Sequence, residues 1–188
     1  MTLLEKLRLA TKPAHEELDA AMMPYIKSIR SADDYCRLLV AFFGFFKPVY
    51  EKIDKHLQTT FLPDYSTRRK PVDIIQNLSR LSYQTSLTNS CHQLPNISNN
   101  ANAFGALYVM EGSTLGGLMI KKMLAEQTGL PDEQLSFFAG YGKATRERWN
   151  VFTTALNTVT HNDEEEQATI TAATQTFSCF SVWLSMYW

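Results

Sequence analysis

His15 is the first residue in the chain whose surroundings indicate chemistry. On a helical wheel it falls on an otherwise apolar face. Arg8 precedes it on the same face by about 10 Å along a helix axis, and Lys12 lies about one turn before it. A neutral imidazole with cations this close fits a ligand that has a metal centre and anionic arms. An ordinary hydrogen-bonded histidine at the edge of the core is the alternative, and the histidine alone does not decide between them.

A glycine-rich segment at 112–117 is the second candidate. It holds three of the chain's eight glycines, and its flanks at 101–110 and 118–127 have helical patterns. Each glycine inside a helix costs about 1 kcal/mol relative to alanine, so another interaction must compensate. The glycines are either a seam for close packing against another helix or a kink where the backbone approaches a flat ligand. The segment matches neither phosphate-binding glycine pattern.

The remaining polar groups are predicted to have surface or structural roles. Three further histidines are far apart and match no HExxH zinc pattern: His56, His92 and His161. Four carboxylates at 163–166 lie in the first turn of a predicted helix, where the positive end of the helix dipole stabilises negative charge. A basic group beside Trp149 is predicted to lie at the surface: Lys143, Arg146 and Arg148.

Apolar residues recur with a helical period along most of the chain, and strand patterns are scarce. Seven helical segments are predicted: 3–10, 16–29, 31–58, 71–89, 100–127, 132–158 and 164–185. Pro48 is predicted to kink or end its helix, because proline lacks the backbone N–H, and Pro13 either lies in the first turn of a helix that starts near Thr11 or kinks the helix. No repeat or Ser/Gly linker divides the chain. We therefore predict an all-α fold of six to nine helices in a single domain over 1–188.

Composition narrows the class of protein. With 188 residues, 45% apolar and 20% charged, the chain is not of a disordered type. A net charge of −1 gives no support to nucleic-acid binding. The longest unbroken apolar run, 38–46, is shorter than the roughly 20 residues of a membrane span, and the start of the chain has no signal-peptide pattern. We expect a cytoplasmic protein with no membrane partner and three buried free thiols, since its three cysteines form no CxxC pair.

In combination, these segments resemble the heme oxygenase family. Residues 7–15, LRLATKPAH, resemble its proximal segment, in which a histidine ligates heme iron. Residues 106–117, ALYVMEGSTLGG, resemble its glycine-kinked distal helix, especially in the bacterial branch often found beside bacteriophytochromes. Residues 138–149, FAGYGKATRERW, and 176–184, TFSCFSVWL, fit the later helices of that branch. The likeness covers nearly the whole chain, in order.

The resemblance implies a helical fold with a heme slot between the proximal and distal helices. The implied reaction cleaves heme to biliverdin with release of iron and CO, using O₂ and electrons from ferredoxin or a reductase. Heme is then both substrate and cofactor, and His15 is the iron ligand. Gly112, Ser113 and Gly116 are the implied catalytic positions on the oxygen side. Heme contacts are implied for these further residues: Arg8, Lys12, Gly117 and Arg148.

Two departures from the family pattern bear on proton delivery. Ser113 stands where animal relatives have an aspartate that anchors water, and a serine hydroxyl organises water more weakly. Leu118 stands where some relatives have glutamine. Glu111 substitutes for the aspartate only if the helix turns it inward.

Two other functions stay open at this stage. Ser113 is compatible with a heme-binding or heme-sensing protein that does not turn heme over. The glycine-rich segment at 112–117 is also compatible with a helical interaction module that packs against a partner helix.

Overall fold

The computed structural model describes residues 1–160 and 162–187, and this part of the chain contains helices and no strands. Six α-helices follow one another: α1 (Leu3–Ser28), α2 (Ala32–His56), α3 (Pro71–Arg80), α4 (Asn100–Thr128), α5 (Thr145–Val159) and α6 (Asp163–Tyr187). Short 3-10 segments lie at Tyr65–Thr67, Asp132–Ala139 and Gly142–Ala144. The predicted all-α class is confirmed. His161 lies outside the described residues.

The first helix is longer than predicted. Two segments were expected around Pro13, whereas α1 is one helix that contains both Pro13 and Pro24. It begins at a capping box in which Thr2 and Glu5 bond each other's backbone N–H. Its buried stripe continues on both sides of Pro13 and packs on α6, and this burial offsets the missing hydrogen bond. Arg8 and His15 therefore lie on one continuous helix.

The second helix also continues through its proline. Pro48 is buried inside α2, among the aromatic residues that make this helix a main part of the core. A helix boundary at Pro48 is therefore wrong as a prediction, because α2 continues to His56.

The central helix is α4, which packs against α6, α2, α5 and the 132–139 segment. It begins at the Asn99 cap and ends at Gly129, whose φ of 69° is the left-handed conformation typical of a helix end. By length and composition α4 is apolar enough to cross a membrane, yet 61% of its most apolar window is buried inside the molecule, as in the core helix of a globular protein. Polar residues interrupt the sequence of α4, so that it contains no long unbroken apolar run.

Two predicted helices are shorter in the structure. The helix predicted at 71–89 ends at Arg80, and two residues later Ser82 adopts a φ of 53°, which a helix does not allow. The polar residues that follow bury too little surface to stabilise a helix. The helix predicted at 132–158 is divided by Gly140 and Gly142, both with a φ of 57°, so that α5 begins only at Thr145.

Candidate functional site

A cavity of about 380 Å³ is lined by residues of both α1 and α4. This volume is within the range of small-molecule sites, about 300–1,000 Å³. Aromatic and aliphatic side chains form most of the lining: Leu18, Met22, Phe42, Phe46, Tyr108, Val109, Met110, Leu115, Ile120, Phe138, Trp149, Phe177 and Phe180. Among them stand a few polar groups, which is the usual composition of a site that binds a large apolar molecule in one orientation.

The α1 wall provides an imidazole and a cation. His15 and Arg8 both line the cavity. The His15 side chain is 58% exposed and its ring packs against Phe177, with centroids 4.9 Å apart. Its Nε2 lies 3.6 Å from Oδ2 of Asp19, one turn further along α1. The imidazole is thus open to a ligand on one side and close to a carboxylate on the other.

The glycines of α4 divide into two groups. Gly112 and Gly116 line the cavity. A methyl group added at Gly116 would meet no heavy atom of the described residues within 4 Å, and one added at Gly112 would be in ordinary contact, 3.7 Å from the Trp149 ring. At Gly117, by contrast, it would lie 2.5 Å from the carbonyl oxygen of Phe138. Gly117 is therefore required for packing, whereas Gly112 and Gly116 keep the cavity side of the helix bare.

The packing interpretation of the glycine segment thus applies to Gly117, whereas the approach of a flat ligand at Gly112 and Gly116 stays a prediction. Gly105 also belongs to the packing group, since an added methyl group would collide with the backbone carbonyl of Thr169 on α6. Through this segment α4 is one continuous helix.

Three of the residues implied to contact heme do not line the cavity. Lys12 is exposed and its ammonium lies 3.7 Å from Glu16. Gly117 is buried under Phe138. Arg148 points elsewhere because Asp64 and the Thr67 hydroxyl accept its hydrogen bonds, at 3.0 and 2.7 Å. The structure thus places these three residues outside the cavity lining, and in the later segment it places Trp149 there.

Arg69 is a cavity residue that the sequence analysis missed. It precedes α3, is 7% exposed, and lines the cavity close to Ser113. Its Nη2 donates a hydrogen bond to the carbonyl of Met110 at 2.9 Å and a very short one to the Ser113 hydroxyl. The available signal was three consecutive basic residues at 68–70 before Pro71. Nothing in their spacing, however, indicates which one faces the cavity.

Behind α4 the neighbouring arginine belongs to a buried ionic network. Arg68 donates to Glu111 at 2.6 Å and to Asp64 at 2.9 Å. Burial lowers the pKa of Arg68, but the two carboxylates outweigh it and the net pKa is raised. Tyr141 donates to Glu111 at 3.0 Å, and burial raises the pKa of this phenol with the help of the same carboxylate. Glu111 thus faces Arg68 and Tyr141 and does not line the cavity. It is therefore not placed to replace the aspartate that animal relatives have at the position of Ser113.

A second cleft of about 400 Å³ lies on the far side of Arg69. Lys70, Arg80 and Asp73 are among its lining residues. Among the described residues, Arg69 alone lines both the cleft and the cavity.

Comparison with known proteins gives a family match. A family model described as heme oxygenase matches residues 73–186, which is more than half of the chain and includes α4 with its glycines. The match begins after α1, so it does not include His15. No curated protein matches.

Two solved structures resemble the whole fold. The heme oxygenase from Leptospira interrogans has a TM-score of 0.79 and 20% identity, covering 99% of this chain and 100% of its own. The NO- and CO-bound heme oxygenase from Neisseria meningitidis has a TM-score of 0.77 and 20% identity, covering 100% of this chain and 92% of its own. At this identity the likeness extends to the fold alone.

Proposed function

This chain belongs to the heme oxygenase family, and on that premise we propose that it binds heme in the cavity between α1 and α4 and cleaves it to biliverdin, releasing iron and CO. One observation carries the proposal. An exposed imidazole on α1 and the bare backbone beside Gly116 on α4 line the same largely aromatic cavity. None of the described residues fills the space next to Gly116, so a flat ligand would account for the absence of a side chain there.

The proximal role falls to His15. A neutral imidazole is a suitable axial ligand of heme iron. Ligating histidines usually donate their second N–H to a carboxylate, and Asp19 lies 3.6 Å from the His15 ring. At this distance Asp19 accepts no hydrogen bond from His15, and it would have to move closer in the heme complex to fix the tautomer and orientation of the ring.

The remaining lining residues hold and orient the macrocycle. Bound heme supplies the iron that activates O₂ and is itself the molecule oxidised. Phe177 and Trp149 offer ring faces that pack against it and exclude water. Arg8, exposed on α1, can pair with a carboxylate arm at the rim.

Ser113 provides the proton-handling group on the glycine side. Its hydroxyl donates to the Met110 carbonyl at 2.7 Å and accepts from Arg69. Because the residue itself is exposed to the cavity, it can also hold a water molecule there. This is how the chain would deliver protons without the aspartate of animal relatives.

The direct test is turnover of one equivalent of hemin. We expect the Soret band of the complex to decay after addition of a reductant in air, with a biliverdin spectrum and CO as products, and to persist under nitrogen. An intact Soret band in air, after the iron has been reduced, would rule out the proposed activity.

A heme-binding or heme-sensing protein without turnover is the second candidate, and Ser113 in place of the aspartate is the observation that favours it. Ser113→Asp separates the two. If this variant degrades hemin while the wild-type chain only binds it, the sensing function is correct; measurable CO release by the wild-type chain excludes it.

We also infer the cellular context from the sequence resemblance. Residues 106–117 and 138–149 support the branch found beside bacteriophytochromes, with ferredoxin or a reductase as electron donor and a cytoplasmic location. Ferredoxin with its reductase should therefore sustain turnover, and the released biliverdin should load an added apo-bacteriophytochrome. Turnover only with chemical reductants would contradict the donor.

A further inference from the structure

Arg69 is a buried cation that has no carboxylate partner among the described residues. Its neighbour Arg68 is buried to a similar degree, 3% against 7% exposed, but is paired with Asp64 and Glu111. Arg69 bonds only neutral oxygens, of Met110 and Ser113, and its Nε is buried without any acceptor in the described part of the chain. A buried charge without a counter-charge is costly. The site therefore has capacity for an anion.

The surroundings fix the Arg69 guanidinium in place. It lies over the Phe137 ring at 4.6 Å and over the Phe46 ring at 5.7 Å, which stabilises a cation without neutralising it. The bonds to Met110 and Ser113 hold it against α4. A cation fixed in this way needs no reorganisation when a negative ligand arrives.

The charge is also placed where a ligand can use it. Arg69 lines the cavity beside Ser113, whose hydroxyl accepts its hydrogen bond, and the open space along α4 lies about one turn further on, beside Gly116. Asp19, on α1, is the single carboxylate among the lining residues that the structure describes. The second cleft, on the other side of Arg69, contains both signs of charge, because Asp73 lines it with Arg80 and Lys70, and Lys70 pairs with Asp54 at 2.9 Å.

We propose that Arg69, together with the bare backbone of α4 at Gly112 and Gly116, forms a subsite for small anions in the cavity. The subsite selects anionic ligands of bound heme over neutral ligands of the same size. The inference rests on the proposed function, because heme completes the other side of the subsite.

The test compares an anionic with a neutral ligand on the hemin complex. Azide is titrated into the ferric complex and CO into the reduced complex, at constant ionic strength, for the wild-type chain and for Arg69→Met. A charge-assisted hydrogen bond corresponds to about tenfold in affinity or more. We therefore expect the azide Kd of the variant to rise at least about tenfold, while the CO affinity changes less than about twofold.

Two further variants control the comparison. Arg80→Met removes the same charge from the second cleft without touching the cavity, and should leave the azide Kd unchanged. Arg69→Lys keeps the charge and should bind azide more tightly than Arg69→Gln. If Arg69→Met does not fold, Arg69→Gln takes its place in the comparison with the wild-type chain.

Three results would overturn the subsite: an azide Kd unaffected by loss of the charge, an equal loss of azide and CO affinity, or a lysine variant no better than the glutamine variant. A wild-type chain that takes up no hemin would instead refute the proposed function, and so the two failures are distinguishable.

Discussion

At the scale of single residues, His15 has the most specific predicted role. It is the one described histidine that lines the cavity, while His56 and His92 do not. His15→Ala should abolish iron ligation without changing the fold, because the side chain is 58% exposed and makes few contacts. Hemin titration followed by the Soret band measures this, and His92→Ala, an exposed histidine outside the cavity, is the matched control. An unchanged Soret spectrum in the His15 variant would contradict the role.

Cys36 gives a prediction about pH. Burial, with a smaller contribution from Asp33, raises the pKa of this thiol from 9.0 to about 11. The folded chain then holds a proton that the unfolded chain releases, so stability is full below pH 9 and declines as the pH rises towards 11. We expect the wild-type chain to lose on the order of 1 kcal/mol more than Cys36→Ala between pH 8 and 10.5, measured by urea unfolding. Parallel pH profiles of the two proteins would refute this.

Which side chains reach the site was only partly predictable at this scale. Arg8 and His15 follow from the spacing along one helix. Arg148 does not line the cavity, because its guanidinium pairs with Asp64, which is 84 positions away in the chain. Arg69 reaches the cavity from the connection before α3. Contacts over such separations depend on how the helices pack, and local sequence patterns do not contain that information.

At the scale of elements, α4 both packs against its neighbours and lines the cavity, and two adjacent glycines divide these roles: Gly117 lies in the packing and Gly116 in the lining. Gly116→Ala should increase stability by about 1 kcal/mol, because alanine is the better helix former and the space beside it is open. Gly117→Ala should decrease stability by about 1–3 kcal/mol, because its methyl group meets the Phe138 carbonyl. Thermal unfolding of the two variants measures the difference.

Heme affinity should respond in the opposite way to stability. Gly116→Ala places a methyl group in the cavity and should weaken hemin binding despite the more stable fold, whereas folded Gly117→Ala should bind hemin nearly as the wild-type chain does. Tight hemin binding by Gly116→Ala would mean that the bare helix surface serves another purpose.

Helix ends were predictable where local chemistry decides them. The start of α2 follows from the reciprocal Ser31 and Asp34 cap, and the end of α4 from Gly129. The prolines of α1 and α2 gave wrong boundaries, because burial of a continuous apolar face outweighed one lost hydrogen bond. Gly140 and Gly142 end a segment whose apolar pattern alone indicated one long helix.

At the scale of the whole molecule, the buried ionic network joins segments that are distant in the chain. Arg68, before α3, bonds Glu111 on α4 and, through Asp64, shares a carboxylate with Arg148 on α5. The network therefore holds the back of α4 in place while its front lines the cavity.

Removal of one member should destabilise the molecule strongly. Arg68→Met leaves Glu111 buried without its cation and should cost about 3–5 kcal/mol. Arg37→Met breaks an exposed pair with Asp33 of similar length, 2.7 Å, and should cost less than about 1 kcal/mol. Urea unfolding of both variants measures the contrast, and equal losses would show that the network is not a structural support.

The position of the iron tests the whole account most directly. Crystals of the hemin complex, measured at the iron absorption edge, locate the metal by its anomalous signal. We predict one peak in the cavity, within bonding distance of a ring nitrogen of His15, with the macrocycle against Gly112 and Gly116. A peak at His56 or His92, or in the cleft beside Arg80, would contradict it.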